Sequence, residues 1–180
     1  MNLDFASVWE MVSDLVPEND ALICGEDIVS WKEYDDRASK IASALSEAGL
    51  GANSKAGLYL NNSNEYLIAQ YAIFKVGGIP INVNYRYVEE ELIYLLENSD
   101  AEAVFHHACY SSRIKEIAGS LPNIKAWIEV SDGTESKFDQ SLKYEDLLNQ
   151  HSSMKRIHRD PETIYMLYTC LLYTSDAADE

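Results

Sequence analysis

Basic residues are scarce in this chain: 14 lysines and arginines stand against 30 aspartates and glutamates, a net charge of −16. Surfaces that bind nucleic acid or anionic lipid need clustered Lys and Arg to neutralise phosphate, so the deficit argues against both. The acidity otherwise reads as a solubilising surface. Cysteine is scarce too. Cys24, Cys109 and Cys170 stand at wide, irregular spacing, which suits a reducing compartment rather than a disulfide framework. No apolar run reaches the roughly 18–20 residues a membrane-spanning helix needs. Met1 to Phe5 offers neither the basic nor the apolar stretch of a signal peptide. The expected location is cytoplasmic.

The shortage with most consequence is of glycine in one place. Ile164-Tyr165-Met166-Leu167-Tyr168-Thr169 follows a polar stretch from His158 to Thr163 and reads as the central strand of a parallel sheet. In α/β proteins the turn after such a strand commonly holds phosphates, because glycines expose backbone N–H groups beside a helix N-terminus. Here Cys170 to Glu180 contain no glycine, lysine or arginine.

What is present is regular. A chain of 180 residues, 47% hydrophobic and 24% charged, has the length and composition of a soluble domain with a full core. Phe5, Val8, Trp9, Val12 and Leu15 recur at helical spacing, giving an amphipathic helix that Pro17 ends. Ala21–Cys24 and Ile28–Trp31, joined by Gly25-Glu26-Asp27, read as a hairpin. Ser30 and Glu33 form a capping-box pair opening a helix with Tyr34, Ala38, Ile41, Ala42 and Leu45 on one face, ending at Gly49. Strand–helix units follow: strands at Ala56–Leu60, Ile79–Val83, Ala103–His106 and Lys125–Val130, helices at Glu65–Val76, Val88–Ser99 and Ser111–Ala118. A polar loop from Ser131 to Gln140 and a short helix at Tyr144–Asn149 complete the series. The pattern implies an α/β fold, a parallel sheet of repeated strand–helix units with right-handed crossovers, preceded by an N-terminal helix and a short hairpin.

Candidate chemistry is thin by spacing alone. His106, His107 and Cys109 carry zinc-ligand chemistry. His107 and Cys109 could share one strand face, but adjacent histidines point to opposite faces and no second His/Cys pair lies at ligand spacing, so strand-end roles are preferred and no metal is assigned. Cys109 lacks a nucleophile's local signature. Glu89-Glu90-Glu91 and Asp35-Asp36 fall early in helices, where negative charge complements the macrodipole. Tyr59, Tyr66, Tyr71, Tyr94 and Tyr165 sit at core-like periods and read as packing residues. Gly77-Gly78 lies after a helix and before a strand, the reverse of a phosphate loop.

Three runs say more when taken together. Ser30-Trp31-Lys32-Glu33-Tyr34 resembles the "Thr-Tyr-x-Glu-Leu" opening of the first helix in adenylate-forming enzymes, which include acyl-CoA synthetases, nonribosomal adenylation domains and luciferase. Tyr34 stands where leucine is usual. Lys75 to Tyr87, with Glu90-Glu91-Leu92 behind it, looks like the acyl-CoA synthetase form of the next landmark. Asp160 to Thr169 is similar to the segment leading into the family signature. The resemblance covers Phe5 to Thr169 and implies the N-terminal part, residues 1–169, of an AMP-binding domain. The family continues Tyr-Thr as Gly-Gly-Thr-Thr-Gly-x-Pro-Lys-Gly, a loop suited to ATP. It implies ATP, Mg²⁺ and CoA as cofactors of a complete enzyme that turns a fatty acid into acyl-AMP and then acyl-CoA. Of that loop only Thr169 carries over; Arg86 is given no role. Residues 170–180 match nothing in the family, repeat Leu-Tyr-Thr and resemble translated adapter sequence, so they are expected to be non-native or disordered. On this reading the chain is truncated and inactive alone. The alternatives are a non-catalytic α/β interaction domain, or an adenylation-domain or luciferase-like member of the same superfamily.

Overall fold

Side-chain caps and glycine turns cut this chain into its elements. Asp4 accepts from the Ser7 N–H (3.0 Å) and opens helix α1, Phe5–Leu15. An antiparallel hairpin of β1 (Asp20–Cys24) and β2 (Asp27–Ser30) leads to helix α2, Trp31–Glu47, where the Ser30 hydroxyl accepts from the Glu33 N–H (3.3 Å). Ser63 does the same for Tyr66 at the start of α3 (Asn64–Lys75), between β3 (Lys55–Tyr59) and β4 (Ile79–Asn82). Then come α4 (Glu89–Asn98), β5 (Ala101–His107), α5 (Ser111–Ile117), β6 (Ala126–Val130), β7 (Leu142–Lys143), α6 (Tyr144–Gln150) and β8 (Met166–Leu167). The computed structural model describes residues 3–159 and 165–168.

Six strands form one parallel sheet in the order β7-β6-β5-β3-β4-β8. Side chains of β3 alternate between its faces. Ala56 and Leu58 join the core under α1, α2, α3 and α6, whereas Tyr59 joins the core under α4 and α5. The sheet is thus covered on both faces, as parallel sheets require. Close approach between layers is visible at Gly78. A Cβ there would lie 2.8 Å from the Ser54 carbonyl oxygen, so the turn from α3 into β4 needs glycine.

Most expected elements stand within a residue or two of their places, and three differ. β7 is an additional two-residue strand at one sheet edge. Among the described residues the run containing Met166 stands at the edge of the sheet rather than its centre: it pairs there with β4 alone, Ile81 with Met166 and Asn82 with Leu167. The described strand there is confined to Met166–Leu167, and Leu167 is 58% exposed because nothing described lies beyond it.

The third difference concerns α1. Part of its expected apolar face points outward: Phe5, Val8 and Leu15 are exposed, Leu15 by 76%, whereas Trp9 and Val12 are partly buried and Trp9 packs on Tyr71 with ring centres 5.0 Å apart. Ala6, Glu10 and Ser13 are buried instead. The physical reason is charge: Glu10 is drawn inward by buried cations from distant parts of the chain, described below.

Candidate functional site

In a doubly wound sheet, ligands bind outside the carboxyl ends of the strands, where the direction of winding reverses. That reversal occurs at β3, with β4 on one side and β5 on the other. The chain leaves these carboxyl ends at Asn61, Asn82 and His107, and β8 ends on the same rim.

The rim is tied down by short polar contacts. The fully buried Tyr59 places its hydroxyl within 3.2 Å of the Tyr85 carbonyl oxygen and 3.0 Å of that of Tyr87, and accepts from Arg113 Nη1 at 2.5 Å. Arg113 also pairs through Nε with Glu89 Oε1 (3.0 Å). The turn after β4 is thereby fastened to α5. His107 Nδ1 accepts from the Asn61 N–H (3.1 Å), and Tyr110 donates to Asn61 Oδ1 (2.8 Å), closing the gap between the β3 and β5 ends. Tyr66 donates to Asn82 Oδ1 (3.0 Å) at the end of β4.

The sequence candidates are scattered rather than gathered. Neutral His106 is fully buried, with Nδ1 donating to the His107 carbonyl oxygen (3.0 Å) and Nε2 accepting from Ser141 Oγ (2.9 Å). Burial pushes its pKa down to about 4. Burial also lowers that of His107. Cys109 lies in the turn Ala108–Tyr110 and so shares no strand face with His107. Desolvation and the Asp132 carboxylate push its thiol up to about 12, an inert state at neutral pH. Among the described residues, no group of three or more His, Cys, Asp or Glu could hold a metal ion. Glu91 accepts from the Val88 N–H (2.9 Å) at the start of α4, while Glu89 serves Arg113. Arg86 is exposed, its guanidinium 5.5 Å from the Tyr85 ring centre. Tyr59 and Tyr71 are fully buried, but Tyr94 is half exposed. Thr169 and residues 170–180 lie outside the described residues.

A buried charge network went unread in the sequence. Lys75 Nζ lies 3.0 Å from Glu10 Oε1 and 2.7 Å from Asp35 Oδ1, with the Lys75 side chain 2% exposed. Tyr71 donates to the same Asp35 oxygen (2.5 Å), so this aspartate does more than complement a helix dipole. Arg159 Nη2 lies 2.6 Å from Glu10 Oε2, and its Nε 3.0 Å from Asp4 Oδ1. Its Nη1 donates to the Lys75 carbonyl oxygen (3.3 Å). Arg156 makes a two-pronged pair with Asp14 (2.7 and 2.8 Å). The only signal for this network was a glutamate inside an apolar helix face; its partners are 65 and 149 positions away.

A cavity of about 660 Å³ lined by Ser46, Asn53, Gly77, Lys155 and His158 sits at the opposite, amino end of the sheet. The carboxyl rim formed by the described residues is an open ledge. Together, the two-sided parallel sheet and the ledge at its reversal define an α/β protein of the nucleotide-binding type.

Comparison with known proteins makes this specific. The sequence model of the AMP-binding enzyme family matches residues 10–175, and the chain belongs to that family. It is 38% identical over 172 residues to a 3-oxocholest-4-en-26-oate–CoA ligase of Rhodococcus rhodochrous, covering 94% of this chain and 31% of the ligase. It is 35% identical over 175 residues to a medium/long-chain-fatty-acid–CoA/3-oxocholest-4-en-26-oate–CoA ligase of Mycobacterium marinum, covering 93% and 32%. The chain therefore spans about a third of the length of these relatives. In fold it is similar to the crystal structure of coronafacic acid ligase from Pectobacterium brasiliense, with a TM-score of 0.82 at 16% identity, covering 92% of this chain and 33% of that one. The expected α/β fold and the resemblance to the adenylate-forming superfamily both hold.

Proposed function

We propose that residues 1–169 are the N-terminal part of the AMP-binding domain of an AMP-forming acyl-CoA ligase. The family match runs on to residue 175, but the departure of residues 170–180 from the family's glycine-rich loop supports reading them as foreign to it. The complete enzyme activates a carboxylic acid with ATP. A carboxylate oxygen bonds to the α-phosphorus as pyrophosphate leaves; the CoA sulfur then bonds to the acyl carbon as AMP leaves. The substrate is a fatty or steroid-side-chain acid, as the names of the two relatives suggest.

The observation that carries this reading is the placement of β8. Met166–Leu167 runs beside β4 towards the carboxyl rim, where the order of strands puts a ligand. Tyr168 is the last described residue on that rim, and the family's Gly-Gly-Thr-Thr-Gly-x-Pro-Lys-Gly follows Tyr-Thr in sequence, which supports reading Thr169 as the residue of this chain that belongs to the ATP loop. The described residues gather no group of three or more His, Cys, Asp or Glu, and no step is assigned to Mg²⁺. What these residues do is hold the ledge: Tyr59, Arg113 and Glu89 fix the turn after β4, and Tyr66 fixes Asn82.

The test is ATP–pyrophosphate exchange with fatty and steroid acids. The purified 180-residue chain gives no exchange above a no-enzyme control, because it lacks the glycine-rich loop. Exchange above that control would overturn the assignment of the fragment as inactive.

A further inference from the structure

We propose that Arg159 is a positioning residue: it fastens the chain ahead of β8 to the turn that enters β4, and so holds these two strands in register. The importance of that register for a nucleotide loop rests on the function proposed above; the fastening itself does not.

The first observation is what β8 lacks. Among the described residues it pairs at two positions, on one side, and Leu167 is largely exposed. An isolated pairing of this length cannot fix its own register. The second is how the preceding segment is held. From His151 to Arg159 there is no helix or strand. The His151 N–H donates to the Leu147 carbonyl oxygen and the Met154 N–H to that of Ser39 (both 3.1 Å), and side chains add His151 to Glu47, Ser153 to Asp36, Arg156 to Asp14, and Arg159. Of these, Arg159 is the most deeply placed, with its side chain 2% exposed.

The third observation is what Arg159 touches. Asp4, Ser7 and Glu10 all belong to the start of α1, but Nη1 reaches the carbonyl oxygen of Lys75, the last residue of α3. From there Val76, Gly77 and Gly78 lead into β4 at Ile79. Gly77 adopts φ +77°, and the Gly78 N–H donates to the Ile73 carbonyl oxygen (2.9 Å), so this turn is rigidly defined. β4 and β8 run parallel, and both are thus anchored at one buried node before they begin. A guanidinium suits the node because its planar fork serves two carboxylates and a carbonyl at once, whereas an ammonium is a point charge.

Chain length alone gives the expected scale. With Arg159 fastened, residues 160–165 span the gap to β8. Without it the nearest tie is Arg156 on Asp14, which leaves residues 157–165 to span the gap, or Met154 if that exposed pair is also lost. Loop-closure entropy over the longer separation then weakens the β4–β8 pairing about two- to threefold.

The experiment is residue-resolved amide hydrogen exchange on the 180-residue chain, with no nucleotide present. Arg159→Met should speed exchange at Met166–Tyr168 at least twofold beyond any change in β3 and β5. Arg159→Lys, which keeps the charge and loses the fork, should leave the rest of the sheet at wild-type exchange while β8 remains fast. Arg156→Met should leave β8 within twofold of wild type. If Arg159→Met unfolds the chain, Asp4→Asn takes its place, removing one acceptor while retaining a good helix cap; it should show the same localised pattern, more weakly. Unchanged exchange at β8, or acceleration shared equally by the whole sheet, would overturn the proposal. Neither outcome bears on acyl-CoA ligation, which the exchange of pyrophosphate tests separately.

Discussion

The two faces of the sheet bury ionisable groups differently. Under α1, α2 and α3 a network of charges is kept and paired: buried Glu10 and Asp4 and partly buried Asp35 meet Lys75 and Arg159. On the face covered by α4 and α5, the buried histidine is kept neutral beside a buried carboxylate, Glu129, whose partner Lys143 (2.5 Å) is partly exposed. Leu92, Leu95, Leu96, Ile114 and Ile117 supply the apolar cover there, while His106 lies among Ser141, Glu129 and Lys143. Paired charges are directional and discriminate between partners; apolar packing is tolerant of substitution. The charged face therefore specifies which distant segments meet, and the other face supplies cohesion.

The largest expected effect breaks the charged face. Lys75→Met leaves Glu10 short of one cation and Asp35 without its nearest one, so it should cost about 3–5 kcal/mol of unfolding free energy, measured by urea denaturation. A cost below about 1 kcal/mol would mean that the network is no more than incidental. The second effect sharpens the contrast on the opposite face. Burial holds His106 at about 4, against an ordinary 6.5. The unfolded chain takes up a proton as pH falls through 6.5 while the folded chain does not. Stability should therefore decline between about pH 6.5 and pH 4, by up to about 3 kcal/mol from this group. The hydrogen bond to the His107 carbonyl and the Glu129 carboxylate oppose this shift, and the charges of Lys143 and the His107 ring reinforce it. His106→Asn should flatten that part of the stability–pH curve relative to wild type; an unchanged slope would reassign it to the carboxylates. The smallest effect is on the outward side of α1. Val8→Lys should change stability by no more than about 0.5 kcal/mol, and a loss above 2 kcal/mol would show that the helix is turned the other way.

The same contrast explains which parts of the fold were legible in the sequence. Strands such as Ala56–Leu60 and helices such as Glu65–Val76 announce themselves through local period and end signals, and these fell within a residue or two of their places. The facing of α1 was misread because periodicity marks an apolar stripe but not its destination. Glu10, one residue along from Trp9, carries no apolar signal and is nonetheless buried, owing to cations far along the chain. β7 is too short to leave a period. The edge position of β8 depends on sheet order, which no local pattern encodes. At the candidate site, Tyr59 was legible as a packing residue, but its bond to Arg113 was not. Thr169 was singled out by resemblance to a signature, not by geometry.

The Asp4–Arg159 pair also bears on how the chain is made. Synthesis delivers Asp4 first and Arg159 155 residues later. Until then α1 can offer Glu10 to Lys75, but Asp4 has no guanidinium to meet. The seat of the first helix is therefore completed late. A ribosome that stalls before codon 159 would release a chain whose first helix can rest on Lys75 and on the aromatic contacts of Trp9 but lacks the guanidinium that ties its N-terminus.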